Sequence, residues 1–384
     1  MPREVYITVG NHRSLAGINE IIYSLYSSLS DDFSVKLTRS LKHDKVNIII
    51  DEFSSLPDIL ALEKTKERYP NTKIVIVATE FVTTVSILGI EMLKTFNFFG
   101  SLRDIRAVGA DLIRPMARRR PSYMRMRYLG FLRALKSCDL LTVIHPQILP
   151  AVSELVEQHG PHLPQPLMIY PQIGPLSPVQ LDRLWDLPVG FSMTGTLTPY
   201  RKGIVRNLIR TFYRIGWVGA IHSLLPFEKS SARNSPVNER PSEESSPSDL
   251  STQLQAQYES IIPDLLYNLN PPQSASWAYS SPMRILRAIL VGQIPVVTKR
   301  FHDHLVEDVA MLWDRKGDTA VALAMQEFID RRALLTEYLR SIESYDRQAR
   351  PANKPFLSAM MALSDTPTAT TAGAASVAAL SRAV

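Results

Sequence analysis

Residues 263–298 read PDLLYNLNPPQSASWAYSSPMRILRAILVGQIPVVT, and the reading of this stretch decides the fold. An apolar run, Leu265–Leu269, stops at Pro271 and Pro272, and a polar loop follows. Ser281 is placed to cap a helix, because its hydroxyl can accept a backbone N–H that the first turn leaves unpaired. Pro282 suits the first helical position, where its fixed φ helps and its missing N–H does no harm. Ile285, Leu286, Ile289 and Leu290 recur at helical spacing. Gly292 ends the helix, and Ile294–Val297 reads as a buried strand. The spacing therefore predicts a parallel β-α-β unit. Arg284 and Arg287 fall in the first and second turns, close to the positive end of the helix dipole, which disfavours cations by about 0.3–1 kcal/mol. An anion docked at that end would relieve the conflict and take up the free N–H groups. Two solvated arginines on a surface helix account for these residues equally well.

The same device recurs at 190–212, GFSMTGTLTPYRKGIVRNLIRTF. An apolar strand reaches Gly195, and Thr198 and Pro199 repeat the cap and first helical position. Ile204, Val205, Leu208, Ile209 and Phe212 form the expected buried stripe, with Arg201 and Lys202 in the first turn. Two capped, cation-bearing helix starts suit a diphosphate at the carboxyl edge of a parallel sheet, where open α/β sheets bind ligands.

With these motifs the chain resembles the GT-B glycosyltransferases, two-domain enzymes whose C-terminal half holds a sugar nucleotide. Gly195 through Lys202 match the strand–loop–helix that opens that half in the family. Ser280 through Val297, SSPMRILRAILVGQIPVV, match a later element of the form LEAxxxGxPVV. The resemblance covers most of residues 1–340. It implies an α/β fold of two Rossmann-like doubly wound domains facing a cleft. It also implies a sugar transfer with a nucleotide-sugar as co-substrate and no further cofactor. Because the paired helix-end cations already supply positive charge for a diphosphate, the transfer is expected to be metal-independent. Gly195, Thr196, Arg201 and Lys202 would hold the diphosphate, and Ser280, Ser281 and Arg284 would complete the grip. Asn270 and Tyr279 would lie near the nucleoside. One departure is plain: where many retaining members carry two glutamates eight residues apart, this chain has Tyr279 and Arg287.

Length and composition fit this organisation. A chain of 384 residues is long for one core, and 45% hydrophobic content is ordinary for a globular protein. A single cysteine, Cys138, excludes an intrachain disulfide and points to a reducing compartment. The start, MPREVYITVG, lacks the layout of a signal peptide. Ile74–Ile90, interrupted by Glu80, is too short to span a bilayer. The expected location is cytoplasmic, with peripheral membrane contact open.

The chain divides as follows. An N-terminal Rossmann-like acceptor domain is expected over 1–165, a proline-rich crossover over 166–188, and the nucleotide-sugar domain over 189–346. Residues 228–250, rich in Ser, Pro and charge, read as a flexible insertion. The extension 347–384 is expected to be disordered from about 365. In the first domain, buried strands end next to Glu52 and Glu80, and the loop after the first strand carries His12. Groups at the carboxyl ends of parallel strands are candidates for acceptor binding or for a general base. Helix capping and surface ion pairs are equally good uses for the two glutamates, and an exposed loop position is the ordinary fate of His12. Arg114–Lys136 holds eight basic and no acidic residues, becoming amphipathic after Pro121. That segment could meet an anionic membrane, an acidic acceptor or solvent. No specific nucleic-acid module accompanies it. Phe301-His302-Asp303-His304 superficially resembles metal ligands, and an ordinary polar loop is the better reading. The acceptor, whether saccharide, lipid-linked or protein, is left open. So are two rivals: a sugar-nucleotide epimerase on the same fold, and a non-catalytic module binding a membrane or polyanion.

Overall fold

The computed structural model describes residues 3–9, 18–51, 53–78, 83–87, 90–94, 123–193, 198–214, 216, 220–223, 265–272, 282–298, 309–312 and 330–365. The first sheet and its helices run β1 (Arg3–Thr8), α1 (Asn19–Leu29), β2 (Phe33–Thr38), β3 (Val46–Ile49), α2 (Leu56–Arg68) and β4 (Lys73–Ala78). An antiparallel hairpin follows, β5 (Thr83–Ile87) with β6 (Ile90–Lys94). Then come α3 (Tyr123–Leu135), β7 (Leu140–Val143), α4 (Leu149–His159) and β8 (Pro166–Met168). The six main strands are parallel in the order β2-β1-β3-β4-β7-β8. Strands β3 and β7 are buried along their whole length, and β4 at all but its first residue. This is why they read as near-continuous apolar runs: a parallel sheet is covered on both faces. Pro166–Met168, expected in the crossover, instead forms the edge strand of this sheet, pairing with β7.

The second unit runs α5 (Pro178–Asp186), β9 (Gly190–Met193), α6 (Pro199–Arg214), β10 (Ala220–Ser223), β11 (Tyr267–Asn270), α7 (Pro282–Leu290), β12 (Ile294–Val297) and β13 (Met311–Leu312). Its strands are also parallel, in the order β10-β9-β11-β12-β13. Gly292 closes α7 in the left-handed region, φ +71, and a Cβ there would meet the Gln180 carbonyl oxygen of α5 at 2.9 Å. Both reasons call for glycine at that stop. The Gln180 amide, itself part of a capping box with Ser177, donates to the Leu290 carbonyl at 2.7 Å.

The chain then doubles back. Helix α8 (Arg331–Ala352) begins at an Asp330 cap and buries Leu334, Leu335, Tyr338, Ile342 and Tyr345 in the second core. It runs past residue 346, the expected end of the second domain, and residues 318–329 lie outside the described ones. Helix α9 (Lys354–Asp365) instead inserts Phe356 and Met360 into the core of the first domain. Phe356 and Met360 stand one turn apart, which gives that helix its buried side. The insertion 228–250 and the tail beyond 365 lie outside the described residues.

Two chain crossings meet at the seam between the domains. The buried Asn353 amide accepts from Tyr170 N at 2.7 Å and donates to Tyr170 O at 2.8 Å and to Ser28 Oγ at 3.4 Å. Tyr345 donates to Pro171 O at 2.6 Å, and Tyr23 to Ile173 O at 3.2 Å. The Asp346 carboxylate accepts from Ile173 N and Gly174 N at 2.8 and 2.7 Å. Burial raises the Asp346 carboxyl above its ordinary range, against the lowering effect of those two donors. The folded state then holds its proton more tightly than the unfolded chain does. This group's contribution to stability therefore falls as pH rises from the ordinary carboxylate pKa through the raised one. Asp346→Asn should flatten that slope on the acid side of neutrality, as read from thermal unfolding across pH. An unaltered slope would mean that another group sets it.

Candidate functional site

In each sheet the strand order reverses at one point: between β1 and β3 in the first, and between β9 and β11 in the second. Beyond the carboxyl ends of such strands the neighbouring crossovers diverge and leave a crevice. Helix α6 leaves from β9 and α7 from the loop after β11. Because parallel crossovers are right-handed, the two helices lie on opposite faces of the sheet and begin at the same edge. The ring of Phe212 in α6 lies 5.1 Å from Phe191 of β9, fixing α6 on that face.

Thr198 caps α6 as its sequence predicts, its Oγ1 accepting from Arg201 N at 3.3 Å. Arg201, in the first turn, is only 1% exposed. Its Nε donates to the carbonyl oxygens of Pro271 and Pro272, and Nη2 to Pro271, all at 3.3 Å. The guanidinium thus ties the start of α6 to the loop that leads into α7. Burial pushes its pKa down to about 10, so it stays charged at neutral pH in a poorly hydrated place. Lys202, next in sequence, is exposed.

Asn270, at the carboxyl end of β11, is buried. Its amide nitrogen donates to the backbone and side-chain oxygens of Asn268, each at 3.1 Å. Asn268 in turn donates to Ser192 Oγ at 3.2 Å and to Gln293 Oε1 at 2.9 Å. Gln293 donates to Leu265 O at 2.6 Å and accepts at its own carbonyl from Tyr338. Of this polar column inside the second sheet, only Asn270 is a candidate in the sequence reading. Asn268 and Gln293 interrupt apolar runs, and that interruption was the available signal.

Arg284 is half-buried in the first turn of α7. Arg287 corrects an expectation: α7 is only nine residues long, so Arg287 lies in its last turn, where the dipole favours a cation. The dipole conflict rests on Arg284 alone. Arg287 pairs instead with Glu20 of α1, a carboxylate 2% exposed. Glu20 has no local sequence signature, because its burial comes from a helix 267 residues away. The stripe of α6 is corrected too: Ile204, Leu208 and Phe212 are buried, whereas Ile209 is 48% exposed.

His12, Glu52, Glu80, Gly195, Thr196, Tyr279, Ser280 and Ser281 lie outside the described residues, as do Phe301–His304. Next to Glu52, Phe53 adopts a left-handed backbone, φ +52, uncommon for a bulky side chain. Its carbonyl oxygen would be 2.0 Å from a Cβ on Gly130 of α3. Gly130→Ala should therefore lower the melting temperature. The helix-propensity gain of about 1 kcal/mol is outweighed by an overpacking cost of about 1–3 kcal/mol. A variant that melts higher would show that α3 can simply shift away. Of the basic segment 114–136, the described part has Arg127 buried and Arg133 bonded through both Nε and Nη2 to Glu63. Among the described residues no group of three or more His, Cys, Asp or Glu could hold a metal ion, and no helix is long and apolar enough to cross a membrane.

Two doubly wound parallel domains, joined by a crossover and by a helix returning from the second to the first, make the GT-B architecture. No protein-family model matches the chain, and no curated protein sequence is similar to it. Solved structures that match the chain include Phytolacca americana apo UGT2, at 12% identity and TM-score 0.42, over 95% of this chain and 100% of that one. Sucrose-phosphate synthase from Thermosynechococcus elongatus gives 12% identity and TM-score 0.44, over 94% and 98%. A GtfA/B complex gives 12% and 0.37, and there the chain covers 90% of itself but 61% of its match. At this identity and these TM-scores the matches carry no argument about this chain, and what each of these proteins acts on stays with that protein.

Proposed function

We propose that this chain is a glycosyltransferase that moves a sugar from a nucleoside-diphosphate donor to an acceptor, without a metal ion. The observation that carries the reading is the Arg201 contact. It joins the first turn of one cation-bearing helix to the loop entering another, at the edge where the strand order of the second sheet reverses. A diphosphate there would meet backbone N–H groups of both helix starts. Arg284 and Lys202 would pair with its oxygens, and the buried charge of Arg201 would add to the field. Such fixed positive groups stabilise charge developing on a leaving diphosphate. Gly195, Thr196, Ser280 and Ser281 would line the same edge, with Asn270 and Tyr279 toward the nucleoside. If the reaction inverts, the acceptor proton would go to Glu80, Glu52 or His12 of the first domain.

A thermal-shift series with nucleoside diphosphates and their sugars tests this, since a ligand that binds only the folded form raises the apparent melting temperature. At least one diphosphate should stabilise the chain. Arg284→Ala should weaken it about tenfold, the value of one charge-assisted hydrogen bond. No stabilisation by any diphosphate would remove the proposal, and conversion of a free nucleotide-sugar without acceptor would reassign the chemistry to epimerisation.

A further inference from the structure

The outward face of α6 has no role in the scheme above. The helix carries five basic residues and no acidic one among sixteen. Its inner side is taken up by Ile204, Leu208 and Phe212. From the second turn onward Arg206, Arg210 and Arg214 are exposed, and so are two apolar side chains, Ile209 at 48% and Tyr213 at 86%. At 3.6 residues per turn Arg206, Ile209, Arg210 and Tyr213 fall within a sector of about 100°. Among the described residues no carboxylate pairs with the three arginines, unlike Arg133 with Glu63 and Arg350 with Asp31.

We infer that this face docks the protein on an anionic phospholipid surface. Three cations meet the charge of such a surface, while a large aromatic and a branched aliphatic beside them have apolar material to enter. A nucleic acid accounts for the arginines and could stack on Tyr213, but Ile209 offers a base no ring. The surface is distinct from the 114–136 segment, and the inference does not depend on the sugar-transfer reading. Its consequence for that reading is orientation: the helix that would open the donor site would rest on the membrane along its outer side.

The test uses the full chain sedimented with vesicles of phosphatidylcholine, and with vesicles of equal parts phosphatidylcholine and phosphatidylglycerol. Binding to the mixed vesicles alone, weakening with salt, is expected. Arg206→Gln with Arg210→Gln should reduce partitioning about 30-fold. Ile209→Ser with Tyr213→Ser, at unchanged charge, should reduce it about tenfold. In a third variant, Tyr213→Trp, the emission difference from the parent chain should shift to the blue on mixed vesicles, which reports insertion without removing any charge. The proposal is overturned if the mixed vesicles bind no better than neutral ones, or if both double variants bind like the parent. It is equally overturned if single-stranded RNA binds at the same ionic strength and is lost only in the arginine variant.

Discussion

Replacing Arg287 with alanine should destabilise the protein by about 3–5 kcal/mol, because it leaves a charged group buried without its partner. The reason is asymmetry. Glu20 is 2% exposed, whereas the Arg287 side chain is 21% exposed. With Arg287 gone, the carboxylate cannot turn to water without pulling α1 away from α7. With Glu20 changed to Gln, the arginine can still reach solvent, and the loss should be nearer to about 1–2 kcal/mol. The double variant, with no charge at the site, should recover much of what Arg287→Ala loses. Because the pair spans the two domains, calorimetry should also resolve two transitions in Arg287→Ala where the parent shows closer coupling. Equal losses for the two single variants would mean that the carboxylate is not as enclosed as its packing indicates.

The second large effect is expected at Arg201. Arg201→Ala removes the hydrogen bonds to Pro271 and Pro272 together with a buried charge. Losing charge-assisted bonds costs about 1.5–3 kcal/mol, while removing a desolvated cation returns part of it. The fold should therefore survive with a modest loss of melting temperature. Diphosphate affinity should fall about 100-fold, since the field and the loop position are lost together. Arg201→Lys tells the two apart. It keeps the charge but not the fork that reaches two carbonyls, so affinity close to that of the alanine variant would assign Arg201 to holding the loop. Undiminished affinity in both variants would exclude Arg201 from the site.

The strand and helix pattern was readable because parallel strands covered on both faces leave continuous apolar runs, as in Lys73–Ala78 and Ile294–Val297. The entry to α6 was equally plain, since Thr198 and Pro199 act through their nearest neighbours. What failed depended on distant parts of the chain. Arg201 is a diphosphate candidate in the sequence, and nothing near it in the chain shows that the loop at Pro271 and Pro272 buries it. Arg287 was judged by its distance from the start of a helix whose short length puts it near the end. Glu20 gave no sign of burial within its own helix. Ile209 was included in the stripe of α6, yet it falls about 60° beyond Phe212 around the helix, past the rim of the core. Of the donor set, Arg201, Lys202, Asn270 and Arg284 have a described position, and only Arg201 makes a described contact between the two helix entrances.

The paired crossings at Tyr170 and Asn353 have one more consequence. Two bodies on a single tether can swivel in any direction, but bodies strung on two adjacent tethers are left with one axis of rotation. In such a motion the hydrogen bonds between Asn353 and Tyr170 would be the pin of the door. Opening and shutting about it would carry Glu20 toward or away from Arg287 along one arc, so that ion pair would work as the latch.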